Sequence, residues 1–220
     1  MAWRRIVLFL FLFSIVGVSR AQAQHEFEVT PFAGARFGGV VDFANSTTAF
    51  NSDVDYLTIK SSLNYGIIAD YSLFQSFPNF QLEFMYNHQP TELGQHNFIT
   101  DTRSDLTSAD VDLYQWGFSY TFRDPSAKIR PYVVGGLGFT HFNSGGYLPF
   151  SNRFSYNLGI GARYFFTRHV GLRLEGRWAP TRTTTAVEEY YDPFFGPQLI
   201  GVSNHAEQGE ANLGLIFRFR

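Results

Sequence analysis

The sequence runs to 220 residues, enough for one domain and short for two, with 25 Phe, 12 Tyr, 20 Gly, no Cys and charged residues at only 16 %. The lack of Cys excludes a disulfide framework and a thiolate metal site, while leaving export open, because exported proteins do not require disulfides. With a formal charge of −2, nucleic-acid binding has no electrostatic support, and the aromatic content points away from an ordinary water-soluble core.

Residues 1–23 read as a cleavable signal peptide. Arg4 and Arg5 form a basic start, an apolar run extends from Ile6 to Val18, and Ala21-Gln22-Ala23 supplies small-residue cleavage chemistry, so Gln24 is the expected mature N-terminus. An apolar run of about 13 residues gives roughly 20 Å of helix, short of the roughly 30 Å hydrocarbon core. Cleavage removes Arg4, Arg5 and Arg20, leaving 14 basic against 19 acidic residues, a formal charge of −5. No later stretch approaches about 18 consecutive apolar residues, so any membrane crossing by residues 24–220 must use strands.

From residue 26 onward the pattern is period-two alternation in segments of about ten residues, the sequence form of a transmembrane barrel. The first segment sets Phe27, Val29, Ala33, Ala35 and Phe37 against Glu28, Thr30, Gly34 and Arg36. In the second, Leu63, Tyr65, Ile67, Ala69, Tyr71 and Leu73 alternate with Ser62, Asn64, Gly66, Asp70 and Ser72, and Ile68 alone breaks the polar set. The third opposes Phe80, Leu82, Phe84 and Tyr86 to Gln81, Glu83, Met85 and Asn87. The fourth opposes Tyr114, Trp116, Phe118, Tyr120 and Phe122 to Gln115, Gly117, Ser119 and Thr121.

The fifth segment places Val133, Leu137 and Phe139 opposite Tyr132, Gly136, Gly138 and Thr140. The sixth places Phe154, Tyr156, Leu158, Ile160 and Tyr164 opposite Ser155, Asn157, Gly159, Gly161 and Arg163. The seventh sets Val170, Leu172, Leu174 and Trp178 against Arg173, Glu175 and Arg177. The eighth sets Ala211, Leu213, Leu215, Phe217 and Phe219 against Glu210, Asn212, Gly214 and Arg218. Amphipathic helices would instead repeat every 3.6 residues. Connections 74–79, 123–128 and 165–169 are short, with Pro78-Asn79 and Asp124-Pro125 as turn chemistry, whereas 38–61, 88–109, 143–152 and 180–207 read as long polar loops. Short periplasmic turns and long external loops are the outer-membrane arrangement. The expected fold is therefore all-β, a closed antiparallel up-and-down eight-stranded transmembrane β-barrel over residues 24–220.

A soluble, lipocalin-like barrel would alternate in the same way but bury its apolar face. Residue size decides between them. The interior of an eight-stranded barrel is only just wide enough for side chains to fill, and the polar set is rich in glycine while the apolar set is bulky. Aromatics also gather at strand ends, Tyr71, Phe74, Phe80, Phe122, Phe165 and Phe219 below and Tyr86, Phe139, Phe154 and Trp178 above, as two interfacial girdles would require.

Four stretches, "RPYVVGGLGF" at 130–139, "YNLGIGARYFF" at 156–166, "VGLRLEGRW" at 170–178 and the terminal "ANLGLIFRFR", resemble the small outer-membrane β-barrel domains, relatives of the OmpA transmembrane domain and of porin-like and opacity-type barrels. The resemblance covers residues 25–220 and implies outer-membrane lipid and the barrel-assembly machinery as partners. It also implies an assembly signal in the last strand at Leu213, Leu215, Phe217 and Phe219. Relatives usually close on the aromatic residue, whereas here Arg220 follows Phe219. No peptidoglycan-binding domain is expected after the eighth strand.

The strongest constellation is a set of charges on the inward parity: Glu28, Arg36, Asp70, Glu83, Arg163, Arg173, Glu175, Arg177, Glu210 and Arg218. A proton or ion path is one reading; a packed ionic plug is the favoured one, because buried charges must be paired. The third and seventh segments lie across the barrel from one another, which brings Glu83 and Arg173 within reach. Gly135-Gly136-Leu137-Gly138 lies in a strand and reads as packing, not as a phosphate cradle. His141 and Ser144 resemble the His/Ser pair of outer-membrane lipid A deacylases, but their spacing puts them on opposite faces of a strand.

Acid pairs at Asp53 and Asp55, Asp110 and Asp112, and Glu188 and Glu189, with the aromatic run Tyr190-Tyr191-Asp192-Pro193-Phe194-Phe195, suit either solvated loops or the binding of a surface glycolipid or a host or environmental ligand. No catalytic residue, cofactor or metal site is expected. The expected function is structural or surface-interacting, through four extracellular loops; the alternatives are a passive channel for small solutes and, last, a lipid-modifying enzyme.

Overall fold

The structure, a computed structural model, describes residues 26–42, 54–74, 77, 79–97, 102–122, 127–143, 152–192 and 196–219. The signal segment 1–23, the turn residues Pro78 and Asp124-Pro125, and Asp53, Ser144, Pro193-Phe194-Phe195 and Arg220 lie outside the described residues. The described chain is all β. Its strands are β1 (Phe27–Gly38), β2 (Val40–Asp42), β3 (Val54–Ile59), β4 (Ser62–Ser72), β5 (Phe80–Asn97), β6 (Thr102–Thr121), β7 (Ile129–Asn143), β8 (Asn152–Phe165), β9 (Val170–Trp178), β10 (Thr181–Asp192), β11 (Gly196–Ala206) and β12 (Gln208–Phe219).

Eight of these close a ring in the order β1, β4, β5, β6, β7, β8, β9, β12, each antiparallel to the next, and β12 returns to β1 with Phe27 opposite Phe219. Closure leaves no unpaired edge within the ring, which is what a strand-built membrane span requires. Burial follows the parity of the sequence. Along β12 every even-numbered residue from Gln208 to Arg218 is buried, whereas among the odd-numbered ones Gly209 is half-buried and Ala211, Leu213, Leu215, Phe217 and Phe219 are exposed.

Three expectations need correction. The segments taken as long polar loops at 38–61, 88–109 and 180–207 are largely strand: β5 has 18 residues and β6 has 20, while β2 with β3 and β10 with β11 form further paired extensions. At roughly 3.4 Å per residue, an 18-residue strand runs about 60 Å, well beyond an apolar band about 25 Å tall. Pairing persists there because each added residue satisfies backbone donors and acceptors, whatever side chain it carries. Secondly, Phe165 belongs to no girdle. It is buried at the short-turn end of the lumen, on the parity of Arg163, with the Arg218 and Arg130 guanidiniums 3.6 Å and 4.4 Å from its ring centroid. Thirdly, the inward face is less uniformly polar than expected: beside Ile68 and Met85, which the alternation already places there, Phe32, Val134 and Ile216 are buried in it.

Glycines make room for those large inward groups. A Cβ at Gly66 would meet Phe32 Cζ at 2.8 Å, and one at Gly161 would meet Tyr132 Oη at 2.5 Å. The bend from β1 into β2 uses glycine for its backbone freedom, with φ of 82° at Gly38 and 110° at Gly39.

Candidate functional site: an ionic lumen inside an apolar wall

The ten charged residues that the sequence places on the inward parity are all buried: Glu28, Arg36, Asp70, Glu83, Arg163, Arg173, Glu175, Arg177, Glu210 and Arg218. They comprise five carboxylates and five guanidiniums, and buried Arg130 on β7 adds a sixth guanidinium toward the short turns. Their placement follows the strand register. Glu28 on β1 faces Asp70 on β4, which faces Glu83 on β5, giving an acidic row on three neighbouring strands. Arg130 on β7 faces Arg163 on β8, which faces Arg173 on β9, giving a basic row on the opposite side of the ring. Like charges side by side on a sheet repel, and each row is stable only because the other stands across the lumen.

The two walls are joined by charge-assisted hydrogen bonds. Arg173 donates from Nη2 to Glu83 Oε2 at 2.6 Å and from Nη1 to Asp70 Oδ2 at 2.8 Å. Arg163 donates from Nη2 to Asp70 Oδ1 at 3.1 Å and from Nη1 to Gln81 Oε1, with Ser119 Oγ at 3.1 Å as a further acceptor. Arg177 reaches Glu83 Oε1 at 2.5 Å and also bonds Glu175, which accepts from Arg173 Nη2 at 2.6 Å. Nearest the short turns, Arg218 Nε donates to Glu28 Oε1 at 2.7 Å. Bidentate and shared guanidinium contacts of this kind offset the desolvation of buried charge.

Arg36 stands apart, with its Nε 3.8 Å from Glu210 Oε2, beyond hydrogen-bond range. Glu210 Oε2 is instead taken by Asn87 Nδ2 at 2.6 Å.

Sequence reasoning put Tyr132 on the inward face but missed it as the hub of the network. Its hydroxyl donates to Glu175 Oε2 at 2.5 Å, and its ring lies 4.6 Å from the Arg163 guanidinium and 4.8 Å from that of Arg173. The signal for it was the cross-strand partner, Gly161, whose missing side chain vacates the space for the ring. Also missed were Arg130 and the amides Gln81, Asn87, Gln115 and Asn157, which fill acceptor and donor positions between the charges.

Outside, the wall is apolar. Leu63, Ile160, Leu174 and Leu158 are each at least 59 % exposed, which would be untenable in water on such a scale. Toward the short turns Phe80 stacks on Phe118 at 4.9 Å; toward the other end Tyr86 lies 5.0 Å from Tyr114, and Tyr114 lies 5.1 Å from Phe139. The four proposed assembly-strand residues, Leu213, Leu215, Phe217 and Phe219, all lie on this outer face.

A family model described as an outer membrane protein beta-barrel domain matches residues 8–219. The chain belongs to that family. It is an outer-membrane β-barrel, and its apolar wall is the surface that faces lipid. Among solved structures it is similar to the outer membrane protein OprG from Pseudomonas aeruginosa, at 11 % identity and a TM-score of 0.58, covering 89 % of this chain and 96 % of that one. It is also similar to Outer Membrane Protein W of E. coli, at 16 % identity and a TM-score of 0.50, covering 90 % of this chain and 100 % of that one. Neisserial surface protein A matches at 15 % identity and a TM-score of 0.50, with the same coverage. These likenesses are of fold. No curated protein matches the chain.

Of the other candidates, His141 Nδ1 lies 2.8 Å from Asn152 Oδ1, and Ser144 is outside the described residues. Asp112 accepts from the Tyr86 hydroxyl at 2.9 Å and lies 2.7 Å from His88 Nδ1, so this acid of the Asp110 and Asp112 pair is tied to the barrel wall. Among the described residues no group of three or more His, Cys, Asp or Glu side chains is arranged to hold a metal.

Proposed function

We propose that this is a non-catalytic outer-membrane barrel whose lumen is closed by a plug of paired buried charges, and that it acts through its extracellular end in a structural or surface-interaction role. The supporting observation is the joining of the acidic row Glu28, Asp70 and Glu83 to the basic row Arg163 and Arg173 straight across the ring. Opening a conducting path would strip several buried charges of their partners at once, at a cost of several kcal/mol for each ion left unpaired.

In this reading residues 1–23 are a signal peptide removed on export, and Leu213, Leu215, Phe217 and Phe219 on β12 present the signal read by the barrel-assembly machinery. The connections that carry β2 with β3, the ends of β5 and β6, the segment between β7 and β8, and β10 with β11 are the four extracellular loops. The acidic and aromatic residues of these extensions suit a surface glycolipid or a host or environmental ligand.

Conductance of the purified protein in planar bilayers tests the plug. Silence in the wild type, with channel events appearing when Glu83→Gln and Arg173→Gln are combined, is the expected result. Steady wild-type conductance would instead favour the passive-channel reading.

A further inference from the structure

Above the plug, toward the long end of the barrel, the lumen changes character. Arg36 is fully buried, yet among the described residues none accepts a hydrogen bond from its Nε, Nη1 or Nη2. Its neighbours on the same face are incompletely paired as well: Glu210 Oε1, Gln208 Oε1, Asn212 Nδ2 and Asn64 Oδ1 have no partner among the described residues. Arg163, Arg173 and Arg177, by contrast, each make at least three hydrogen bonds. Over this layer Gln208 approaches Gln89, which donates to Ser62 Oγ at 2.9 Å. Beyond it Ile59, Leu93, Val111, Phe142, Ala109 and Ala206 form a buried apolar collar.

We propose that Arg36 is the centre of an anion-binding site enclosed between the ionic plug and this collar, suited to a small planar oxyanion of carboxylate or nitrate shape. A buried guanidinium without acceptors is costly, so this position calls for a ligand. Glu210 stands on the Nε side at 3.8 Å and gives its nearer oxygen to Asn87. The Nη1–Nη2 edge remains, and that edge accommodates a planar oxyanion through two parallel hydrogen bonds. The collar keeps bulk water out and strengthens the attraction.

Reversible urea unfolding of the full mature protein in lipid vesicles tests the site, with sodium formate exchanged for bulky sodium gluconate at constant ionic strength. Because anion uptake is coupled to folding, no passage through the collar is needed. Above the dissociation constant, each tenfold rise in formate should raise the wild-type folding equilibrium constant about tenfold. Arg36→Met should abolish the formate-specific gain, and Glu210→Gln, which removes a competing negative charge, should enlarge it. Equal formate effects in wild type and Arg36→Met overturn the proposal, as does a smaller gain in Glu210→Gln. Should Arg36→Met fail to fold, the comparison of wild type with Glu210→Gln decides alone.

Discussion

The two layers of the lumen solve the same problem, burying arginine in a narrow barrel, in opposite ways. Near the short turns, three arginines share four carboxylates, a tyrosine ring and several amides, and hydrogen bonds of 2.5 to 3.1 Å link opposite walls. Near the long end, Arg36 faces one carboxylate at 3.8 Å. The difference teaches that charge balance and satisfaction are separate requirements. Arg163, Arg173, Arg177 and Arg218 each hydrogen-bond a carboxylate, although Glu28 Oε2, Arg163 Nε and Arg218 Nη2 lack partners among the described residues, whereas Arg36 hydrogen-bonds none.

The largest effect should come from breaking the lower layer. Glu83→Ala removes the shared acceptor of Arg173 and Arg177 and is expected to cost about 3 to 5 kcal/mol in urea unfolding; unchanged stability would mean that the remaining carboxylates carry those guanidiniums unaided. Next comes the outer wall, where Leu174→Arg, at the middle of β9 and 61 % exposed, should cost about 2 to 4 kcal/mol when folding into lipid is measured. Gly161→Ala should follow at about 1 to 3 kcal/mol by forcing the Tyr132 ring from its place. The double variant Gly161→Ala with Tyr132→Phe should not add the two single effects, since both act on one contact. The smallest change belongs to the upper layer: replacing Arg36 by Met and Glu210 by Gln together should leave stability within about 1 kcal/mol, because exchanging a poorly satisfied buried pair for neutral groups is often near neutral.

Topology offers a further check on which end is which. With no native cysteine, Thr184→Cys on β10 should react with a membrane-impermeant maleimide on intact cells, and Thr167→Cys, in the short turn before β9, should react only after the outer membrane is opened. The reverse pattern would invert the barrel.

Most of the fold was legible because alternation is a local signal. Leu213, Leu215, Phe217 and Phe219 declare one face of β12 without any knowledge of its neighbours. Register is not local, and what depended on it stayed hidden. The pairings Glu28 to Asp70 to Glu83 and Arg130 to Arg163 to Arg173, hence the two facing walls, arise from how the strands slide against each other. Phe165 was misplaced because an aromatic residue at a strand end resembles a girdle, although its parity with Arg163 already pointed inward. Tyr132 was placed inward by its parity, but its role as a hub depends on the Gly161 opposite it and on the arginines that register brings over its ring. The strand extensions beyond the membrane were hidden because backbone pairing, not side-chain pattern, sustains them.

The central claim is that the bulky face meets lipid and the charged face fills the lumen, and tryptophan fluorescence tests it most directly. The sequence has three Trp, of which Trp3 falls in the expected signal segment, and Trp116 and Trp178 both project from the outer wall, 49 % and 40 % exposed. In vesicles of acyl-brominated phospholipid, the emission of the mature protein should be strongly quenched relative to unbrominated vesicles, while aqueous iodide should have little effect. Emission indifferent to brominated lipid but quenched by iodide would contradict the account.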